Sequence, residues 1–172
     1  MTGEKKCKIV LFGAFGAGKT TLIKTLDPES KHVEANCAGG TTTVALDFGR
    51  LHTDTCTIHI FGTPGQERFE FAREIIGKGM DGAILLVDAS APVDNFTRNL
   101  YESLAAAKVP FVVFLNKCGT AGANPGSLQN VFGTVPIFRV SALDRREIAR
   151  SVTEFAGTLA PHPSGHPHLP GA

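Results

Sequence analysis

The sequence predicts an α/β fold, in which helices cover both faces of a mostly parallel sheet of six strands. Short continuous apolar runs alternate along the chain with segments of helical periodicity, a pattern typical of buried parallel strands joined by crossover helices. Residues 44–52 and 55–61 instead alternate between apolar and polar side chains, which predicts an antiparallel hairpin at one edge. Glycine-rich or polar motifs directly follow several strands, where sheets of this kind bind their ligands.

Each remaining element follows from its own pattern. Four further strands are predicted at 9–12, 83–87, 111–115 and 137–140. The first helix runs from Thr20 to about Leu26 and ends before Pro28. A second helix is predicted at about 94–108, and a third follows Asp144, with apolar residues on one face at 148, 152, 155 and 159. Residues 29–43 and 119–127 show no sustained periodicity and are predicted as loops.

The most informative motif follows the first strand. Residues 13–20 match the pattern G-x-x-x-x-G-K-[ST], and the candidate contacts with a bound phosphate are Gly13, Phe15, Gly16, Ala17, Gly18, Lys19, Thr20 and Thr21. Glycines allow successive N–H groups to point inward as an anion-binding nest. Lys19 supplies a cation for the phosphates, and the Thr20 hydroxyl is a ligand for Mg²⁺. A chance glycine-rich turn is the alternative, but the strand before the motif and the helix after it favour a nucleotide-phosphate site.

Composition restricts the class of protein. The chain has 172 residues, of which 42% are hydrophobic and 19% charged, with a net charge of +1. These values are typical of one globular domain and give no reason to expect binding to nucleic acid. Four cysteines without metal-ligand spacing, and the absence of a long apolar run or lipidation motif, predict a cytoplasmic protein with no direct membrane anchor.

Three segments are expected along the chain. Residues 1–6 form a polar lead-in, residues 7–160 the globular domain, and residues 161–172 a disordered tail rich in proline and histidine. The histidine spacing of the tail would also suit a metal, but no other ligand residues support such a site.

Over about residues 7–160 the chain resembles the Ras-like small GTPases, which share the P-loop G domain. Five motifs occur in the order of that family: 13–20, a threonine before Val44, Thr63-Pro-Gly-Gln66, Asn116-Lys117 and Ser141-Ala142. Residues 61–69 look most like the prokaryotic Ras-like GTPases, including the gliding-motility group, which often work with roadblock-type regulators. The resemblance implies a three-layer G domain that binds GTP or GDP with Mg²⁺.

The resemblance also implies roles for single residues. Thr43 would close over Mg²⁺ and the γ-phosphate, although Thr41 and Thr42 are alternatives. The N–H of Gly65 would sense the γ-phosphate, and Gln66 would orient the attacking water, with Lys19 and Thr43 completing the catalytic set. The remaining contacts concern the base, which would be held by Asn116, Lys117, Ser141 and Ala142.

Three departures from the family pattern affect these expectations. Gly119 stands where the family has the aspartate that accepts two guanine N–H donors, and Asp144 is one possible substitute. Gly62 replaces the aspartate that holds a Mg²⁺-bound water, and Asp47 on the hairpin is one possible compensation. Phe15 is bulky where small residues are usual, which predicts obstruction of an arginine inserted by a partner.

The sequence therefore predicts a molecular switch that hydrolyses GTP slowly and signals through residues 29–43 and 62–80, with a roadblock-type regulator among the candidate partners. The alternative is a nucleotide-binding interaction module with weak guanine specificity and little turnover, which Gly62 and Gly119 favour. A P-loop kinase is a third reading. It is disfavoured because no arginine-rich lid segment is present.

Overall fold

A seven-stranded sheet with helices on both faces forms the protein. The computed structural model describes residues 4–37, 42–66 and 70–159, and the strands lie in the order β2-β3-β4-β1-β5-β6-β7. The strands are β1 Lys6–Phe12, β2 Lys31–Cys37, β3 Thr42–His52, β4 Thr57–Gly62, β5 Gly82–Asp88, β6 Phe111–Asn116 and β7 Ile137–Arg139. The helices are α1 Lys19–Leu26, α2 Glu70–Gly77, α3 Asn95–Ala106, α4 Pro125–Gln129 and α5 Arg145–Thr158.

The centre of the sheet is parallel and buried on both faces. Strand β1 pairs in parallel with β4 and β5, and β6 pairs in parallel with β5 and β7. Because side chains alternate along a strand, Ile9 and Leu11 enter one apolar cluster with residues of α1 and α5, while Val10 enters the other with residues of α3. The two clusters hold the carboxyl ends of β1, β5 and β6 at one edge of the molecule.

The antiparallel edge contains one strand more than the sequence predicts. The hairpin of β3 and β4 is confirmed, but β2 pairs along β3 from Lys31 to Cys37, so the sheet has seven strands and not six. The prediction of six strands was wrong because β2 lies at the edge of the described sheet. An edge strand pairs on one side and buries little side-chain surface. Residues 31–34 of β2 are exposed, so its weak alternation carries no strong apolar signal.

The predicted helices are confirmed to within a few residues, and two more are present. Asp94 and Asp144 accept hydrogen bonds from backbone N–H groups in the first turns of α3 and α5, as N-cap residues do. Helix α4 overlaps the end of the segment 119–127 that was predicted as a loop. It has only five residues, too few for a periodic pattern, and begins with Pro125 after the cap residue Asn124. Helix α2 contains part of the segment 62–80.

No helix in the described ranges is long and apolar enough to span a membrane. The predicted tail, residues 161–172, lies outside the residues that the structure describes.

Candidate functional site

The loop between β1 and α1 has the backbone conformation that its glycines predict. Gly16 and Gly18 have φ angles of 80° and 108°, in the left-handed region that side chains disfavour. Gly18 is also restricted by packing, because a Cβ atom there would lie 2.5 Å from Nδ2 of Asn116. The amide of Leu22 donates to the carbonyl of Gly18 at 2.8 Å, so α1 starts at this loop with its N-terminal end toward it.

The side chain of Lys19 folds back under the loop. Its ammonium group donates to the carbonyl oxygens of Gly13 at 2.6 Å and Ala14 at 2.9 Å. Burial lowers the pKa of Lys19 to about 8, with Asp47 opposing this shift and Arg73 adding to it. A buried cation at the N-terminal end of a helix is an arrangement that favours an anion.

The segment 63–66 lies against the same loop. The amide of Phe15 donates to the carbonyl of Gly65 at 2.9 Å, and a Cβ atom at Gly65 would lie 2.8 Å from the Lys19 ammonium. Thr63 is buried and holds the segment to β1, donating to the carbonyl of Leu11 through its amide and its hydroxyl. The approach of Gly65 to the loop therefore leaves no room for a side chain.

Arg73, on α2, is a residue of this region that the sequence analysis did not identify. Its guanidinium donates to the carbonyl oxygens of Pro64 at 3.2 Å and Gln66 at 2.6 Å, and it lies over the ring of Phe96 at 4.9 Å. It is 8% exposed. Arg73 belongs to no recognisable motif. Its sequence context is therefore the same as that of an exposed arginine on a helix surface, and nothing in the sequence indicates its buried contacts.

Asn116 joins the phosphate loop to the motif that follows β7. Its Nδ2 donates to the carbonyl of Ala17 at 3.0 Å, and its Oδ1 accepts from the amide of Ala142 at 3.0 Å. Asn116 is only 3% exposed. Three of the predicted motifs therefore meet at one buried amide side chain.

Lys117 crosses the opposite side of the loop. Its ammonium donates to the carbonyl of Gly16 at 2.9 Å and pairs with Asp88 at 2.8 Å. Burial acts to raise the pKa of Asp88, but the hydrogen bonds from Lys117 and Ser90 outweigh it, and the pKa lies below its usual value. Asp88 ends β5 and was not among the predicted site residues, although its place at a strand end matches theirs.

A cavity of about 600 Å³ opens between these motifs. It is lined by residues from three loops, from the ends of β6 and β7 and from α1 and α5, among them Gly18, Thr21, Asn116, Lys117, Ser141 and Ala142. A Cβ atom at Gly119 would meet nothing within 4 Å, so the place of the missing aspartate is open space. The size and position of the cavity, and its mostly apolar lining with a few polar groups such as Asn116, suit a nucleotide base.

The suggested replacement for the missing aspartate is not supported by the geometry. Asp144 caps α5 by accepting from the amide of Glu147 at 3.0 Å, and it is not among the residues that line the cavity. Glu147 does line it, and its Oε2 accepts from the amide of Ser141 at 3.1 Å. Among the described residues, Glu147 therefore supplies the carboxylate in the lining of this cavity. The sequence carried no signal of this, because Glu147 has the pattern of an ordinary residue of the first helical turn.

On the other side of the loop, Thr20 contacts a carboxylate. Its hydroxyl donates to Oδ2 of Asp47 at 2.6 Å, and Nδ1 of His32 lies 2.7 Å from Oδ1 of the same carboxylate. The hydrogen bond to Asp47 is the main cause that raises the pKa of His32. Hydroxyl and carboxylate oxygens are the donors that Mg²⁺ prefers, so Thr20 and Asp47 fit the ion that the family implies.

The structure thus brings together every predicted site residue whose side chain it describes. Thr43 lies in β3, paired with Asn36, but its side chain is outside the described part of the structure. Gln66 follows the segment that Arg73 holds, so its backbone is fixed beside the phosphate loop.

Comparison with known proteins agrees with this geometry. Residues 4–156 match the family described as the elongation factor Tu GTP-binding domain. An uncharacterized protein of Methanocaldococcus jannaschii is 37% identical over 127 residues, which are 74% of this chain and 80% of that protein. Translation initiation factor IF-2 of Mesoplasma florum is 32% identical over 117 residues, 68% of this chain, but the match spans only 18% of the factor.

Solved structures share the fold. The G domain of the Thermotoga maritima FeoB iron transporter superposes with a TM-score of 0.66 at 23% identity, covering 88% of this chain and 99% of that one. The Arl6 small GTPase of Trypanosoma brucei, with a bound nucleotide analogue, gives a TM-score of 0.61 at 22% identity, covering 89% and 96%. The expected G-domain fold is confirmed, and so is the resemblance to P-loop GTPases at that level. The chain belongs to the family of the elongation factor Tu GTP-binding domain.

Proposed function

We propose that the protein is a GTP/GDP switch that hydrolyses GTP slowly and in the presence of Mg²⁺. The observation that carries the proposal is the double hydrogen bond of Asn116, which ties the phosphate loop to the wall of the cavity. A nucleotide bound with its base in the cavity and its phosphates at the loop would contact both parts at once. The arrangement therefore supports a nucleoside di- or triphosphate as the ligand.

Each part of the site then has a task. The loop amides and Lys19 bind the phosphates, and Asn116 and Lys117 orient the base with Ser141 and Ala142. Thr20 would hold Mg²⁺, and Thr43 would join it once the switch closes. The bound ion would neutralise charge on the β- and γ-phosphates. Gly65 contacts the loop and Gln66 follows Gly65, so both are placed to respond when the γ-phosphate is lost.

Slow hydrolysis is expected because of Phe15. Its side chain belongs to the phosphate loop and is 81% exposed, so it would obstruct an arginine offered by a partner. Such arginines contribute about 10³–10⁵ in rate. Replacing Phe15 with glycine is expected to raise the rate stimulated by an activator. Unchanged basal and stimulated rates would remove Phe15 from this account.

The partners are proposed to be protein regulators and effectors, a roadblock-type regulator among them, in the cytoplasm. Residues 29–43 and 62–80 are the expected contact surfaces because they correspond to the two switch segments of the GTPases that the chain resembles. Strand β2, within the first of these segments, pairs with β3 alone and can be remodelled without opening the parallel sheet.

The test is single-turnover release of phosphate from GTP, compared between the wild-type protein and a Gln66→Leu variant. The proposal predicts slow release by the wild type, a further loss in the variant, and equal GDP affinity for both. A protein that binds GTP but releases no phosphate above the buffer rate would contradict the catalytic part. Equal rates in the two proteins would remove the role given to Gln66.

A further inference from the structure

We propose that Asp47, on β3, supplies the carboxylate of the magnesium site that the family resemblance places at position 62, where this chain has glycine. The proposal rests on the proposed function, since it concerns the metal that accompanies the nucleotide. It names a residue of the hairpin as part of the metal site, and it accounts for the presence of Gly62.

The first step is the register of the two strands. Asp47 and Gly62 are direct partners in the antiparallel pair of β3 and β4. Side chains of directly paired residues project on the same side of a sheet. A carboxylate carried by Asp47 therefore reaches the face that a side chain at position 62 would occupy.

The second step is the space above Gly62. A Cβ atom built there would lie 3.3 Å from Cβ of Asp47 and 3.6 Å from its Oδ2. It would also lie 2.9 Å from Cδ1 of Ile23, which packs down from α1. The Asp47 carboxylate thus lies directly beside the place of a residue-62 side chain, so an acid at either position would lie in the same region.

The third step is the contact with Thr20. The Thr20 hydroxyl donates its only hydrogen to Oδ2 of Asp47 at 2.6 Å, so both lone pairs of the Thr20 Oγ1 atom remain available to a cation. Mg²⁺ in nucleotide sites is commonly bound through one or two carboxylates together with phosphate oxygens and water. The pair of Thr20 and Asp47 offers such a set beside the phosphate loop.

The fourth step is that Asp47 is already held in place. His32, on β2, lies 2.7 Å from Oδ1, while Oδ2 faces Thr20, and the side chain of Asp47 is 13% exposed. Both oxygens are therefore engaged, and the carboxylate has a fixed direction toward Thr20. Fixing a ligand by a neighbouring hydrogen bond is how metal sites obtain their affinity. His32 acts as a positioning residue in this arrangement.

The experiment measures the affinity of Mn²⁺, as a paramagnetic probe for Mg²⁺, for the GDP-bound protein by electron paramagnetic resonance. Asp47→Asn keeps the size of the side chain and removes the charge, and it is expected to weaken Mn²⁺ binding about 10- to 100-fold. Asp27→Asn is the matched control. Its carboxylate accepts from the amides of Glu29 and Arg50 at the far end of α1. The control is expected to keep the wild-type affinity.

An exchange variant separates the position of the carboxylate from its charge. Asp47→Gly combined with Gly62→Asp moves the acid to β4, and Ile23→Val in the same protein removes the Cδ1 atom that a new side chain would meet. The exchange is expected to recover most of the Mn²⁺ affinity that Asp47→Asn loses. Thermal unfolding of each variant checks that the proteins compared are folded.

The outcomes distinguish this inference from the function on which it rests. Wild-type Mn²⁺ affinity in folded Asp47→Asn would overturn the inference, as would GDP binding by the wild type that needs no divalent cation. A wild-type protein that binds no GDP would instead overturn the proposed function. An exchange variant that folds but stays as weak as Asp47→Asn would show that position 62 is not equivalent to position 47.

Discussion

Gly119 is the position at which a single substitution should change the choice of base. Gly119 lines the cavity proposed for the base, and a Cβ atom there meets nothing within 4 Å. Its backbone is not in the left-handed region, so a side chain causes no conformational strain. Gly119→Asp therefore places a carboxylate in open space beside Asn116 and Lys117, where it can accept the two N–H donors on the guanine edge.

The size of the effect follows from those hydrogen bonds. A hydrogen bond to a charged group contributes about 1.5–3 kcal/mol to net stability. Since two such bonds form and about 1.4 kcal/mol corresponds to a tenfold change in affinity, GTP and GDP should bind about 10²- to 10⁴-fold more tightly to the variant. Xanthine nucleotides carry a carbonyl in place of the guanine amino group, so the same carboxylate should weaken their binding.

The assay is calorimetric titration of the nucleotide-free wild type and variant with GDP and with xanthosine diphosphate, in Mg²⁺. Opposite shifts of the two affinities are expected. An unchanged GDP affinity would refute the reasoning, because it would mean that another group already accepts the guanine donors. Glu147→Gln then tests that group, since Glu147 lines the same cavity.

Three further predictions concern positions away from the base. Arg73→Lys keeps the charge but loses the planar donor group that holds the carbonyl of Gln66, so single-turnover hydrolysis should fall about 10- to 100-fold at unchanged GDP affinity; an equal loss of both would contradict a positioning role. Asp94→Ala removes the N-cap of α3 and should lower the free energy of unfolding in urea by about 1 kcal/mol, whereas Asp94→Asn, which keeps an acceptor, should not. Burial, followed by the charge of Asp81, raises the pKa of the Cys7 thiol to about 12, so the reactive thiolate is scarce at pH 8. Iodoacetamide should then modify the half-buried Cys56 and spare Cys7, as read by peptide mass spectrometry, and rapid modification of native Cys7 would contradict this.

The centre of the sheet could be predicted from the sequence because β1, β5 and β6 each contain a continuous apolar run. Residues 83–87 are a short apolar run, which is the pattern expected of a parallel strand buried on both faces. Strand β2 could not be predicted in the same way. Val33 is 50% exposed, so the stabilisation of β2 comes from backbone pairing with β3, which leaves no mark on the sequence.

The site residues also differ in how far the sequence could predict them. Residues in contiguous motifs, such as Lys19 and Asn116, were identifiable because their spacing is fixed by local backbone geometry. Arg73 and Glu147 were not, since each acts through a contact between distant parts of the chain. Asp47 is an intermediate case. The sequence suggested it only because Gly62 replaces the aspartate of the family pattern, whereas its contact with Thr20 depends on the register of the hairpin.

The central claim is that the cavity and the phosphate loop together bind a guanine nucleotide. The most direct test is calorimetric titration of nucleotide-free protein with GTP, GDP and ATP, each with Mg²⁺ and with a chelator. The account predicts tighter binding of GTP and GDP than of ATP, and weaker binding when Mg²⁺ is removed. Equal affinity for the three nucleotides, or none for any of them, would contradict it.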